Sequence, residues 1–263
     1  MSIFRRILPC LVVAVALASS TAAFADERKF TYIEEAKTLP QGSWEFEQWG
    51  TRSWGVDEGT FWRIDLREEV EYGLTDRLTV AGYLNLAILH ANNVPGLEDE
   101  TEFELESVSL EAKYKLLDPS TDTIGLLAYG EISFGEEFEI EFKAVVSKNA
   151  GDFIFAYNLI FEYEKEENEL ATVDTGKESE YLIVNAIGGS YQFHKNWAGG
   201  VEFLARTPFE GGFDDKEATG YFIGPNAHYA AETWWVTFTF LVRTNSSDEF
   251  EKYEARVILG VNF

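Results

Sequence analysis

Apolar and polar residues alternate along most of the chain with a period of two. Phe138, Ile140, Phe142, Ala144 and Val146 interleave with Glu137, Glu139, Glu141, Lys143 and Val145, so an extended segment carries apolar side chains on one face and mostly charges on the other. Trp234, Val236, Phe238, Phe240 and Val242 alternate with Trp235, Thr237, Thr239, Leu241 and Arg243, and the pattern continues from Tyr253 to Phe263. No comparable 3.6-residue stripe appears. The alternation predicts twelve strands with ends good to a few residues, over 43–55, 60–73, 78–90, 103–117, 123–135, 137–148, 152–164, 179–193, 197–207, 219–229, 234–244 and 251–263. Most reach the roughly 9 to 11 residues that a tilted membrane-crossing strand needs.

The connections carry a second regularity. Short turns at 74–77, 118–122, 149–151 and 194–196 alternate with longer connections at 91–102, 165–178 and 208–218, although those near Gly135 and Ser246 are short. Aromatic residues mark both ends of the strands, with Tyr72, Trp197, Trp234 and Phe263 at the short-turn end and Trp54 and Trp62 at the other. Short turns, longer loops and two aromatic girdles are the pattern of a membrane β-barrel. The expected fold is therefore all-β, an antiparallel transmembrane β-barrel of about twelve strands in meander order. Pro225 within Gly224-Pro225-Asn226 interrupts the tenth strand, because proline cannot donate to a ladder; a bulge or a displaced boundary is expected there.

The first residues have a different composition. Arg5 and Arg6 precede the apolar run 7–17, and Ala23-Phe24-Ala25 supplies an A-x-A ending, which is a secretory signal peptide over 1–25. The barrel domain then occupies 26–263, with 26–41 reading as a polar lead that links signal to barrel. Cys10 lies inside the apolar run, so neither a lipoprotein anchor nor a disulfide framework follows from it. The chain carries a net charge of −25, and without its two leading arginines about −27, which argues against nucleic acid as a partner. With 46% hydrophobic and 15% aromatic residues it is not a disordered acidic tail.

The ending Val257-Ile-Leu-Gly-Val-Asn-Phe263, with Val257, Leu259, Val261 and Phe263 alternating, resembles the C-terminal assembly signal of Gram-negative outer-membrane proteins. That resemblance implies insertion by the barrel-assembly machinery into outer-membrane lipid, and so a location in the cell outer membrane. Residues 38–49 (TLPQGSWEFEQW), 71–78 (EYGLTDRL) and 224–229 (GPNAHY) resemble an uncharacterised family of outer-membrane proteins to which no substrate or catalytic residue is assigned.

If the apolar face meets lipid, Arg63, Asp65, Arg67, Glu69 and Glu71 of the second strand face the lumen with Glu111 and Lys113 of the fourth. Glu131, Glu139, Glu141, Lys143, Glu202, Arg206, Glu254 and Arg256 join them. Charge placed there avoids the roughly 2 to 4 kcal/mol cost of a basic residue at the lipid midplane. Two readings stay open. The acidic excess suits a channel or uptake pore for small polar or cationic solutes, whereas pairing of the mixed charges would plug the lumen and leave a structural or surface-interaction barrel. Carboxylates packed in the acidic external connections could hold calcium or magnesium through oxygen ligands, but with no D-x-D-x-D-G loop the signal for such a site is weak, and charge runs of this kind usually serve solvation. No cofactor or metal motif appears, and the three histidines form no local nucleophile–base pattern, so the chain does not read as an enzyme.

Overall fold

A computed structural model describes residues 27–95, 98–135, 137–166, 179–246 and 250–263; the predicted signal peptide, 1–25, lies outside them. Twelve antiparallel strands follow one another: β1 Trp44–Trp54, β2 Thr60–Thr75, β3 Leu78–Asn92, β4 Glu100–Leu117, β5 Gly125–Gly135 and β6 Glu137–Ala150. The second half is β7 Phe153–Glu166, β8 Ser179–His194, β9 Trp197–Glu210, β10 Gly220–Ala230, β11 Trp234–Arg243 and β12 Tyr253–Asn262. Each pairs with its sequence neighbours, and β1 pairs with β12 from Glu45↔Asn262 to Trp54↔Tyr253, closing the barrel. Closure removes the unpaired edge that an open sheet would present.

The faces are inverted relative to a water-soluble protein. Phe142 (56% exposed), Phe238, Ile187 and Leu110 point outward, while Glu69, Lys113, Thr237 and Thr239 lie inside with almost no exposed surface. One step in the period-2 pattern would exchange these sets, so each strand's register is fixed by which face its charges occupy. Aromatic pairs ring the outside at both ends: Trp44–Tyr72 and Trp197–Tyr229–Trp234 near the short turns, Trp54–Tyr253 and Trp62 stacked on His90 near the loops.

Two expectations need correction. Strand β10 runs through Pro225 with neither a bulge nor a displaced boundary. Its pairing to β11 lapses over Gly224 and Pro225 and resumes in the same register, from Ile223↔Val242 to Asn226↔Thr239. A Cβ on Gly224 would stand 1.7 Å from the Phe240 carbonyl oxygen, so only glycine permits this close backbone approach.

The polar lead, expected to link signal to barrel, is not a linker. Residues 27–43 turn back into the barrel and cross its lumen. Phe30, Ile33, Ala36 and Leu39 are fully buried. Phe30, Tyr32 and Ile33 pack on an inward apolar wall that includes Ile160, Val184, Leu204, Phe222 and Leu241, and Ala36 packs on Leu127, Tyr129 and Val145. Burying a phenylalanine, isoleucine or leucine contributes roughly 1.5 to 3 kcal/mol each, enough to hold the segment without a ladder of its own.

Its backbone groups are satisfied by side chains of successive strands, as buried peptide groups require. Leu39 N–H donates to Thr79 Oγ1 (2.9 Å), Ala36 N–H to Ser147 Oγ (3.1 Å) and Glu34 N–H to Asn158 Oδ1 (2.6 Å). Further along, Thr31 and Tyr32 N–H donate to the Glu202 carboxylate (3.0 and 2.8 Å), and Thr237 donates to the Arg28 carbonyl. Gly188 makes room for this segment: a Cβ there would come within 2.7 Å of Ile33 Cδ1 and 2.8 Å of Phe30 Cε1.

Candidate functional site: an acidic lumen above the inserted segment

Above the inserted segment the lumen widens into a cavity of 720 Å³ that reaches toward the loop end. Arg28, Thr31, Tyr32 and Glu34 contribute to its floor. Eleven carboxylate side chains and six cationic ones line it. The charges are not evenly spread. Ile160, Leu182, Val184, Leu204 and Phe250 give the β7–β9 side an apolar surface.

The strand registers arrange the inward carboxylates in two rows. One passes from Glu45 to Glu71, then across Ala81 to Glu111, Glu131, Glu141 and Glu162. The other passes from Glu47 to Glu69 and, after Tyr83, Ser109 and Ser133, to Glu139 and Glu164. Directly opposed residues in an antiparallel pair have Cβ atoms about 4.5 to 5.5 Å apart, so neighbouring members feel one another. Because the strands tilt, the rows climb. Glu47 sits near the short-turn end of β1 and Glu164 near the loop end of β7. Like charges opposed in this way are unfavourable unless cations, protons or solvent compensate.

Cationic side chains compensate part of the array. Lys113 Nζ reaches Glu71 (2.7 Å), Glu111 (3.2 Å) and Glu34 (3.7 Å), and Lys143 reaches Glu141 (2.7 Å). Arg206 binds Glu254 in a two-point fork (2.6 and 3.2 Å), while Arg63 bridges Asp65 and Glu106. Arg67 lies over the rings of Trp49 and Tyr83 and is 4.0 Å from Glu131; Arg256 lies over Tyr32 and donates to the Thr31 carbonyl (3.2 Å). Glu139 and Glu162 line the open cavity.

The structure therefore brings together Arg63, Asp65, Arg67, Glu131, Glu139, Glu141, Lys143, Arg206, Glu254 and Arg256 around one cavity. Glu69, Glu111 and Lys113 are buried deeper, and Glu202 is diverted to hold the inserted segment. Sequence reasoning missed Glu45, Glu47, Asn158 and Arg28. The first two belong to the same period-2 pattern, in Trp44-Glu45-Phe46-Glu47, but the inward Trp49 that follows breaks the simple rule of aromatics outside. At the far end of the chain, Val257 and Leu259 point outward and Phe263 donates its N–H to the Trp44 carbonyl (2.9 Å), beside the closing seam.

Residues 22–263 match the model of DUF6662, a family of unknown function. The chain belongs to that family. Among curated proteins, no sequence relative is detected. Among solved structures, the chain is similar to the COG4313 outer membrane channel from Pseudomonas putida F1, with a TM-score of 0.65 and 13% identity over 87% of this chain and 98% of that one. It is similar also to the translocator domain of autotransporter NalP from Neisseria meningitidis (TM-score 0.55, 13% identity, 85% and 89% covered). A third is the NanC porin (TM-score 0.51, 11% identity, 83% and 98% covered). At these identities the likeness shows the fold, that of outer-membrane β-barrels, and the DUF6662 chain shares it across nearly its whole described length.

Proposed function

We propose that this DUF6662 barrel resides in the outer membrane and takes up small cationic solutes with some apolar surface, with residues 27–43 acting as an internal gate. The observation that carries the reading is the double row of inward carboxylates, which rises from the short-turn end at β1 to the loop end at β7 beside an apolar wall. A low-dielectric wall lined with one sign of charge focuses the field and raises the local concentration of counter-ions. The carboxylate excess of the cavity gives that field its sign, and Ile160, Leu182 and Phe250 offer an apolar face to a solute already held by its charge. The similarly folded Pseudomonas putida protein is an outer membrane channel, which is consistent with this reading.

With both barrel termini and the short turns toward the periplasm, the cavity faces outward and the inserted segment stands between it and the periplasm. Passage then requires that segment to move. The test is single-barrel conductance in planar bilayers, comparing the parent with a chain lacking residues 27–41. The parent gives low or rare conductance and the deletion gives steady conductance. Equal conductance in both removes the gate, and silence in both removes the channel.

The competing reading, a structural barrel with a filled lumen, has one observation in its favour: the ion pairs centred on Lys113 pack the deep half tightly. The same conductance comparison separates the two, because a purely structural barrel stays silent with its seated segment and has no selective path without it.

A further inference from the structure

At the foot of the two rows, Glu47, Glu69 and Glu71 each turn one carboxylate oxygen into a group in which the three oxygens lie within 4.8 Å of one another, and all three side chains are buried. Glu47 and Glu69 are directly opposed across β1 and β2, and Glu71 follows Glu69 on the same inward face of β2. Two cations make ion pairs within the group, and both are already shared. Arg28 binds Glu34 (3.0 Å) and is 4.0 Å from Glu47, while Lys113 binds Glu71 and Glu111 and approaches Glu34. Neither comes within ion-pair distance of Glu69, although both, together with Arg67 two residues before it on β2, act on it at longer range.

Glu69 supplies a second, separate observation. It is 0% exposed, and neither of its carboxylate oxygens has a hydrogen-bond partner. A buried charge with nothing to replace its hydration costs several kcal/mol. Five carboxylates, from Glu34, Glu47, Glu69, Glu71 and Glu111, share two cationic side chains here. One divalent cation would take that group from a formal charge of −3 to −1 and give Glu69 a partner.

We infer that Glu47, Glu69 and Glu71 form a binding site for a hard divalent cation of the calcium or magnesium class, enclosed between β1–β2 and the inserted segment. The oxygen-only donor set is what such ions take. Calcium binds oxygen at about 2.3 to 2.6 Å, so donors on opposite sides of it stand up to about 5 Å apart, which the observed spacing accommodates. The ion pins β1 to β2 beside the closing seam and neutralises the carboxylates facing Arg28 and Glu34. The inference is independent of whether the lumen conducts.

Because the site is buried, metal is offered during folding. The full chain is refolded into detergent with terbium, freed of excess by gel filtration in a chelator, and excited through tryptophan. Trp49 donates its indole N–H to Glu47 (2.7 Å), which places a sensitising ring beside the ion. The parent retains slowly exchanging, sensitised terbium at about one ion per barrel, and calcium present during refolding displaces it whereas potassium does not. Glu69→Gln and Glu47→Gln each lower retention at least tenfold, with heat-modifiable gel migration confirming that the variant barrels have closed. Folded parent that retains no terbium overturns the inference whatever the variants do, as does equal retention in parent and both variants. A carboxylic-acid carbonyl band in the infrared spectrum of the parent, lost in Glu69→Gln and unaccompanied by retained metal, overturns it in favour of a bound proton.

Discussion

Replacing Glu202 with leucine is expected to release the inserted segment while the barrel stays closed. The Glu202 side chain is fully buried and accepts hydrogen bonds from Thr31 N–H (3.0 Å), Tyr32 N–H (2.8 Å), Thr239 Oγ1 (2.6 Å) and Asn226 Nδ2 (3.2 Å). A hydrogen bond to a charged group contributes about 1.5 to 3 kcal/mol, so losing the two backbone bonds takes about 3 to 6 kcal/mol from docking of the segment. At about 1.4 kcal/mol per tenfold, the docked-to-released ratio falls by roughly two to four powers of ten. Hydrogen exchange read by mass spectrometry on peptides covering 27–43 measures this directly, as a matching loss of amide protection. Glu202→Gln keeps one acceptor oxygen and turns an NH2 group toward the other backbone donor, so its protection falls between parent and leucine. The strand ladders do not depend on Glu202, and heat-modifiable migration should be retained in both variants. Unchanged protection of Thr31 and Tyr32 in the leucine variant would show that Glu202 does not hold the segment.

Other expected outcomes follow from the same geometry. Lysine at Phe142 meets lipid and should cost about 2 to 4 kcal/mol in folding into bilayers, whereas lysine at Glu141, which faces the cavity, costs much less; equal costs in urea titrations would place the faces wrongly. Gly188→Leu should crowd Phe30 and Ile33 out of their seat, giving the same loss of protection over 27–43 as Glu202→Leu, and full protection in this variant would show that the seat has slack. In the β4–β5 turn, burial alone would raise the Asp118 carboxyl, but hydrogen bonds from Ser120 and the Lys115 ammonium outweigh it and hold Asp118 at about 2. A depressed folded value means this contribution is complete above the unfolded carboxylate value and is lost as pH falls through about 2. Carboxyl NMR titration should place Asp118 there, and an ordinary aspartate midpoint would contradict it.

Much of the architecture was legible because a membrane barrel writes its faces into every second residue. The runs 137–146 and 234–243 specify strand, register and orientation together, since a one-residue slip would put Glu139 and Glu141 into lipid. Pro225 misled for a local reason: the rule about ladder donors is sound, but Gly224 lets the backbone of β10 close on Phe240 without a register shift. The larger omission was the inserted segment. Phe30, Tyr32 and Ile33 lie among Arg28, Lys29, Glu34 and Glu35 with no period of either kind, because the segment forms no ladder and borrows its hydrogen bonds from Thr79, Ser147, Asn158 and Glu202. Those partners are distant in sequence. Asn158 and Thr237 read as ordinary inward polar residues until the segment that needs them is placed. The carboxylate rows were half legible: alternation identifies each inward glutamate, but only the register between strands shows that Glu131, Glu141 and Glu162 stand in line.

Cation selection by these rows is read out as a reversal potential. It is measured in a tenfold potassium chloride gradient across bilayers holding the chain without residues 27–41, with and without Glu139→Gln and Glu141→Gln together. The unsubstituted rows should give a cation-selective potential, approaching the roughly 59 mV limit for a univalent ion, and the double substitution should move it toward zero with folding intact. A potential near zero or of anionic sign with the rows unsubstituted, or one that the double substitution leaves unchanged, shows that the rows do not select cations.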